Sequence, residues 1–113
     1  MRIFHNPRCS KSRSTLALIE EAGQDVDVVK YLDTPPSAEE LSEVLSLLSM
    51  TPRDLMRKHE APYKDNNLDD NSLSDAELIQ CMVDNPILIE RPIVISNGKA
   101  VIGRPPELVK ELF

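Results

Sequence analysis

The chain has 113 residues, 41% hydrophobic and 28% charged, the composition of one ordinary globular domain. Its formal net charge of −6 excludes a general nucleic-acid binder, which needs basic surface. No apolar run approaches a membrane span and Met1–His5 turns polar too early for a secretory signal. Two widely separated cysteines make no disulfide framework, so a reducing cytoplasm is the expected compartment.

Ile3-Phe4 reads as a short buried strand, closed by the turn signal Asn6-Pro7. From Ser10 the pattern predicts a helix with Thr15, Leu18, Ile19 and Ala22 on one face and Gly23 as its stop. Asp25–Leu32 reads as a second strand, broken by Asp33-Thr34-Pro35-Pro36. Ser37-Ala38-Glu39-Glu40 is a capping-box pattern ahead of the stripe Leu41, Val44, Leu45, Leu48. Thr51-Pro52 starts a short helix carrying Leu55, Met56 and Arg57. The Asp- and Asn-rich stretch Tyr63–Leu73 has no period and reads as a surface loop. Ser74-Asp75-Ala76-Glu77 caps a further helix with Leu78, Ile79, Met82 and Val83, ending at Asn85-Pro86. Asn97-Gly98 between Pro92–Ile95 and Lys99–Ile102 is a strong hairpin signal. Gly103-Arg104-Pro105-Pro106 then opens a last helix with Leu108, Val109 and Leu112 inward.

The order is β-α-β, a helical insertion over about residues 37–85, then β-β-α, with no repeats or linkers. That is the layout of a thioredoxin-like α/β fold with a mixed sheet, in a single domain spanning 1–113. In such a fold the reactive cysteine sits where the first strand meets the first helix, which is the place of Cys9. Pro92 stands at that fold's cis-proline position, an X-Pro bond being the one place where a cis peptide is cheap.

Cys9 at a helix start faces unpaired N–H groups and the positive end of the helix dipole, and both favour the thiolate, the reactive form of the group. Two stretches hold basic residues and no acid: residues 1–13, which include Cys9, with Arg2, Arg8, Lys11 and Arg13, and residues 91–104 with Arg91, Lys99 and Arg104. Brought together, they would give an acidic protein a local anion site; the alternative is chance clustering in short, partly buried strands. Ser12 excludes a Cys-x-x-Cys dithiol, Thr15 excludes the Cys-x5-Arg loop of tyrosine phosphatases, and Cys9, Cys81, His5 and His59 are too scattered for a zinc site. A single thiolate nucleophile or an inert buried cysteine remain. Cys81, on the apolar face of its helix, reads as core.

The motifs His5-Asn6-Pro7-x-Cys9 with Ser12-Arg13, Tyr31-Leu32-x-Thr34-Pro35, Leu55-Met56-Arg57-Lys58 with Pro62-Tyr63, Asn85–Leu88 followed by Arg91–Val94, and Gly103-Arg104-Pro105 resemble, in order, the glutaredoxin-dependent arsenate reductase family. The resemblance implies that Cys9 attacks arsenate, that glutathione acts as co-substrate, and that glutaredoxin resolves the adduct as arsenite leaves. No bound cofactor, metal or membrane contact is implied. Arg57, Arg91 and Arg104 match the family's oxyanion-binding arginines. His5 either favours the thiolate or packs beside the turn, and Ser12 either donates to the Cys9 sulfur or satisfies the helix start. The chain matches a shorter branch without the C-terminal extension of the better-known reductases, and Ser10-Lys11 stands where those have Gly-Thr. Two other readings share the fold: a redox-regulatory protein binding RNA polymerase, which usually relies on the second thiol that Ser12 replaces, and a glutathione-dependent thiol transferase.

Overall fold

The computed structural model describes all residues from Met1 to Phe113, in two compact units. One comprises Met1–Thr34 and Arg91–Phe113, the other Pro35–Glu90. In the first, β1 (Arg2–Phe4), α1 (Ser10–Glu21), β2 (Asp27–Val29), β3 (Ile93–Ser96) and β4 (Lys99–Ile102) build a four-stranded sheet in the order β2-β1-β3-β4. The β1–β2 pair is parallel, joined through α1, whereas β1–β3 and β3–β4 are antiparallel. This is the mixed sheet expected of a thioredoxin-like fold.

Register follows from side-chain parity and from one turn. Ile3 pairs with Val28 on one side and Val94 on the other, and Val94 pairs with Val101. Ile3 and Val94 join Ile19 of α1 and Val109 in a fully buried cluster, flanked by Leu16, Val26 and Leu112. Asn97 (φ 51°) and Gly98 (φ 75°) both take positive φ, the signature of the type I′ turn that suits twisted hairpins. The β3–β4 ladder therefore closes at Ser96 and Lys99.

Three sequence expectations change. The second strand ends at Val29, because the Asp33 and Thr34 N–H groups both donate to the Lys30 carbonyl and turn the chain there. The final helix is a 3-10 helix, Pro106–Leu112. At three residues per turn Pro106, Val109 and Leu112 share a face, so Leu108, expected inward, is 37% exposed. The expected loop Tyr63–Leu73 starts inside a short helix, Ala61–Asp65.

The second unit holds α2 (Ala38–Leu48), α3 (Pro52–Leu55), α4 (Ala61–Asp65) and α5 (Asp75–Asp84). Ser37 caps α2 by accepting the Glu40 N–H, while Thr51/Asp54 and Ser74/Glu77 form reciprocal capping boxes at α3 and α5. Each such cap contributes about 1 kcal/mol, which matters for helices this short. Leu41, Val44 and Leu45 of α2 are buried, as are Leu78, Ile79 and Met82 of α5, and the two helices pack together. The Arg53 guanidinium holds the carbonyls of Leu68 and Asp70, fixing the Asp-rich segment that carries no period of its own. Arg57 donates its N–H to the Leu88 carbonyl and Glu90 donates its N–H to that of Leu55, around the isolated bridge between Met56 and Ile89. No helix is long and apolar enough to cross a membrane.

Gly103 is the tightest point of the sheet-bearing unit. Its N–H donates to the Pro92 carbonyl at 3.0 Å, carrying the β3–β4 ladder one pair further. A Cβ there would overlap Thr15 Oγ1 and stand 2.9 Å from Pro92 Cγ. Gly103→Ala should therefore destabilise the protein by about 1–3 kcal/mol through overpacking. A urea midpoint unchanged from wild type would show that α1 and the hairpin are not held at this contact.

Candidate active site

Two segments of the sheet-bearing unit converge on one sulfur. The turn after β1 is shaped by Asn6, whose Oδ1 accepts the Arg8 N–H at 3.0 Å and whose carbonyl accepts the Cys9 N–H at 3.0 Å. The Arg13 side chain braces the same turn through the Pro7 carbonyl at 2.9 Å. Cys9 then takes the N-cap position of α1 in extended conformation (φ −95°, ψ 121°), with its carbonyl accepting the Arg13 N–H as the first helical bond. A Ser or Asp at this position would cap the helix with oxygen; the larger sulfur makes no capping bond of ordinary length. Instead the Ser12 and Lys11 N–H dipoles point at it.

The other segment is the open end of the hairpin. Arg91 and Arg104 each precede a cis-proline, Pro92 and Pro105. The Arg104 guanidinium lies 3.9 Å from Cys9 Sγ and donates to the Arg91 carbonyl at 3.1 Å. Arg91 also hydrogen-bonds the sulfur. Cys9 is only 8% exposed, and burial, the largest single influence on its pKa, pushes the thiol up. The Ser12 N–H, the Arg91 guanidinium and the Lys11 N–H together outweigh it, and the pKa falls below that of an ordinary thiol.

Of the expected residues, Cys9, Arg91, Arg104, His5 and Ser12 thus lie in one unit. His5 Nδ1 is 2.6 Å from Ser12 Oγ, and that oxygen also accepts the Asn6 N–H at 3.0 Å. Burial, then Lys30 and Arg13, lower the His5 pKa, which favours the neutral ring. The contact its ring makes here is with the Ser12 hydroxyl. What Ser12 turns toward Cys9 is its backbone N–H; its hydroxyl is engaged by His5 and Asn6. Arg57 belongs to the helical unit, where it meets Glu60 at 3.2 Å, His59 at 3.1 Å and Glu90 at 3.8 Å. Cys81 is only partly buried on α5, less enclosed than a core reading implies, and burial, Asp84 and Glu77 raise its pKa.

Gly103 and Thr15 were not expected as part of this neighbourhood, although they set the position from which Arg104 extends. Thr15 Oγ1 donates to the Lys11 carbonyl at 2.8 Å and lies 3.5 Å from that of Gly103. One signal for the arginine pair was present in the sequence: Arg91 and Arg104 are equally distant from the Asn97-Gly98 turn, so one hairpin register places them opposite each other.

With this geometry in hand, similarity to known proteins becomes specific. The ArsC family model matches residues 4–112. The chain is 58% identical over 113 residues to the uncharacterized protein YfgD of Escherichia coli (strain K12), covering 99% of this chain and 95% of that one. It is 48% identical over 114 residues to an arsenate reductase of Neisseria meningitidis, covering 100% and 97%. A solved structure described as arsenate reductase from Vibrio cholerae superposes with a TM-score of 0.95 at 51% identity, covering 100% and 98%.

The opposed pKa shifts of the two cysteines give a direct check. Lower pKa means more thiolate at a given pH, so iodoacetamide should label Cys9 ahead of Cys81 at neutral pH. The Cys9 alkylation profile should rise at lower pH than that of a free thiol, and Arg91→Ala should move it upward. Equal labelling of both cysteines by peptide mass spectrometry, or a profile indifferent to Arg91, would contradict this assignment.

Proposed function

Because this chain belongs to the ArsC family, we propose that it reduces arsenate to arsenite through one nucleophilic thiol, Cys9, with glutathione and glutaredoxin as reductants. The observation that carries the reading is a depressed-pKa sulfur accompanied by two guanidinium groups, Arg91 and Arg104. Arsenate is an anion at neutral pH and would be repelled by a bare thiolate. Guanidinium groups stay charged and offer planar forks to tetrahedral oxyanions, so they cancel that repulsion and orient the arsenic.

In the first step the Cys9 sulfur attacks arsenic, an S–As bond forms and one As–O bond breaks, its oxygen leaving as water. The glutathione sulfur then displaces a second oxygen, also as water, and arsenic remains As(V) between two sulfurs. A glutaredoxin thiolate attacks the glutathione sulfur; the As–S bond to glutathione breaks with its electron pair left on arsenic, giving As(III) and a mixed disulfide. Hydrolysis of the remaining S–As bond returns Cys9 and releases arsenite. Overall, arsenate and two thiols yield arsenite, one mixed disulfide and one water. Such a cycle requires the reducing conditions of a cytoplasm.

Arg57 is the third arginine that the family resemblance assigns to the oxyanion. Its partners in this structure are the carboxylates of Glu60 and Glu90, within its own unit, and service to an oxyanion would require it to exchange them.

The test is arsenate-dependent NADPH oxidation in an assay coupled through glutathione, glutaredoxin and glutathione reductase. Wild type should turn over and Cys9→Ser should not. Arg91→Ala and Arg104→Ala should each lose about 10²–10³-fold in kcat, as removal of a single oxyanion donor does. Equal inactivity of wild type and Cys9→Ser, where a known reductase works, rejects the reading.

A further inference from the structure

A cavity of about 250 Å³ lies on the turn that delivers Cys9, walled by His5–Arg8 on one side and by Lys30, Leu32 and Asp33 on the other. None of the steps described above uses it. Its chemistry is specific: a guanidinium (Arg8), an ammonium (Lys30), a carboxylate (Asp33) and an apolar side chain, Leu32, that is 38% exposed although large and hydrophobic. The His5 N–H donates to the Val29 carbonyl at 2.8 Å, so Lys30, the next residue, stands beside the turn, and its charge is one of the causes that lower the His5 pKa. Two cations with one anion suit a ligand carrying two carboxylates and one ammonium. An inorganic oxyanion would find both cations but would be repelled by Asp33. A purely cationic ligand would meet the reverse.

We propose that this cavity is the docking site for glutathione, with Arg8 and Lys30 taking its two carboxylates, Asp33 its α-ammonium and Leu32 its aliphatic stem. The proposal rests on the reading of glutathione as reductant and adds where it waits: beside the Asn6–Cys9 turn, whose Asn6 carbonyl binds the Cys9 N–H. Docking there makes arrival of the second sulfur a local event and leaves Arg91 and Arg104 to the oxyanion. The pocket is small for a tripeptide, so glutathione is held by its charged groups and remains partly in solvent.

The decisive measurement uses the full-length Cys9→Ser protein and S-methylglutathione, so that neither thiol chemistry nor arsenate is involved. Amide ¹H–¹⁵N spectra should shift saturably at Asn6, Arg8, Lys30, Leu32 and Asp33. Lys30→Glu, at an exposed position, should weaken binding about tenfold or more, a loss of about 1.4 kcal/mol, and cysteinylglycine, lacking the γ-glutamyl group, should bind more weakly than the parent. In the coupled assay Asp33→Asn, which leaves the Lys30 and Arg13 charges near His5 in place, should raise the KM for glutathione while leaving that for arsenate unchanged. Shifts confined to Arg91 and Arg104, no saturation, equal affinity in Lys30→Glu, or matching shifts with inorganic phosphate at the same affinity would each overturn the proposal. Because the titration needs no turnover, a protein inactive toward arsenate would refute the proposed reaction and still leave this site to be judged by the spectra.

Discussion

A thiolate withdrawn from water is costly unless something replaces the hydration it loses. Much of the sheet-bearing unit can be understood as the means of replacing it at Cys9. The β1–α1 junction supplies N–H dipoles, and the hairpin supplies guanidinium groups. Neither source comes from a flexible loop: one is the first turn of a helix laid on the sheet, the other the end of a two-stranded ladder. The contact of Gly103 with Thr15 ties these two sources together, because it lets the end of β4 approach α1 closely. Donors fixed before substrate arrives have no reorganisation to undergo during reaction, which is where oxyanion-directed groups gain most of their effect.

The three arginines differ in what surrounds them. Arg104 lies against sulfur and a backbone carbonyl, whereas Arg57 is engaged by carboxylates in its own unit. A guanidinium with acidic partners keeps its charge and loses part of its field. His5 is a further contrast: burial and the fields of Lys30 and Arg13 disfavour its charged form, and its ring meets the Ser12 hydroxyl.

The topology was legible because its signals are local and strong: the Asn97-Gly98 turn, the serine and threonine caps, and the apolar pairs of β1, β3 and β4. The nucleophile was legible because Cys9 falls at a helix start, a position that period and turn residues already define. What stayed hidden was non-local or dependent on local winding. The end of β2 depends on the Lys30 carbonyl accepting two N–H groups, and the last helix winds at three residues per turn, a choice that its apolar spacing does not specify. Residue type allows the Ser12 hydroxyl either to donate to the sulfur or to satisfy the helix start; in this structure it joins residues six and seven positions earlier. Such a partnership follows from how the turn folds back, which composition does not encode.

The hairpin register fixes how the two site arginines meet. Ser96 faces Lys99, Ile93 faces Ile102, and the Gly103 N–H donates to the Pro92 carbonyl beyond them. Arg91 and Arg104 follow at the same end, where the Arg104 guanidinium donates to the Arg91 carbonyl at 3.1 Å. A one-residue slip of the ladder would turn every side chain of one strand to the other face. The two-residue Asn97-Gly98 turn is therefore a spacing device for chemistry at the far end of the hairpin as well as a reversal of the chain.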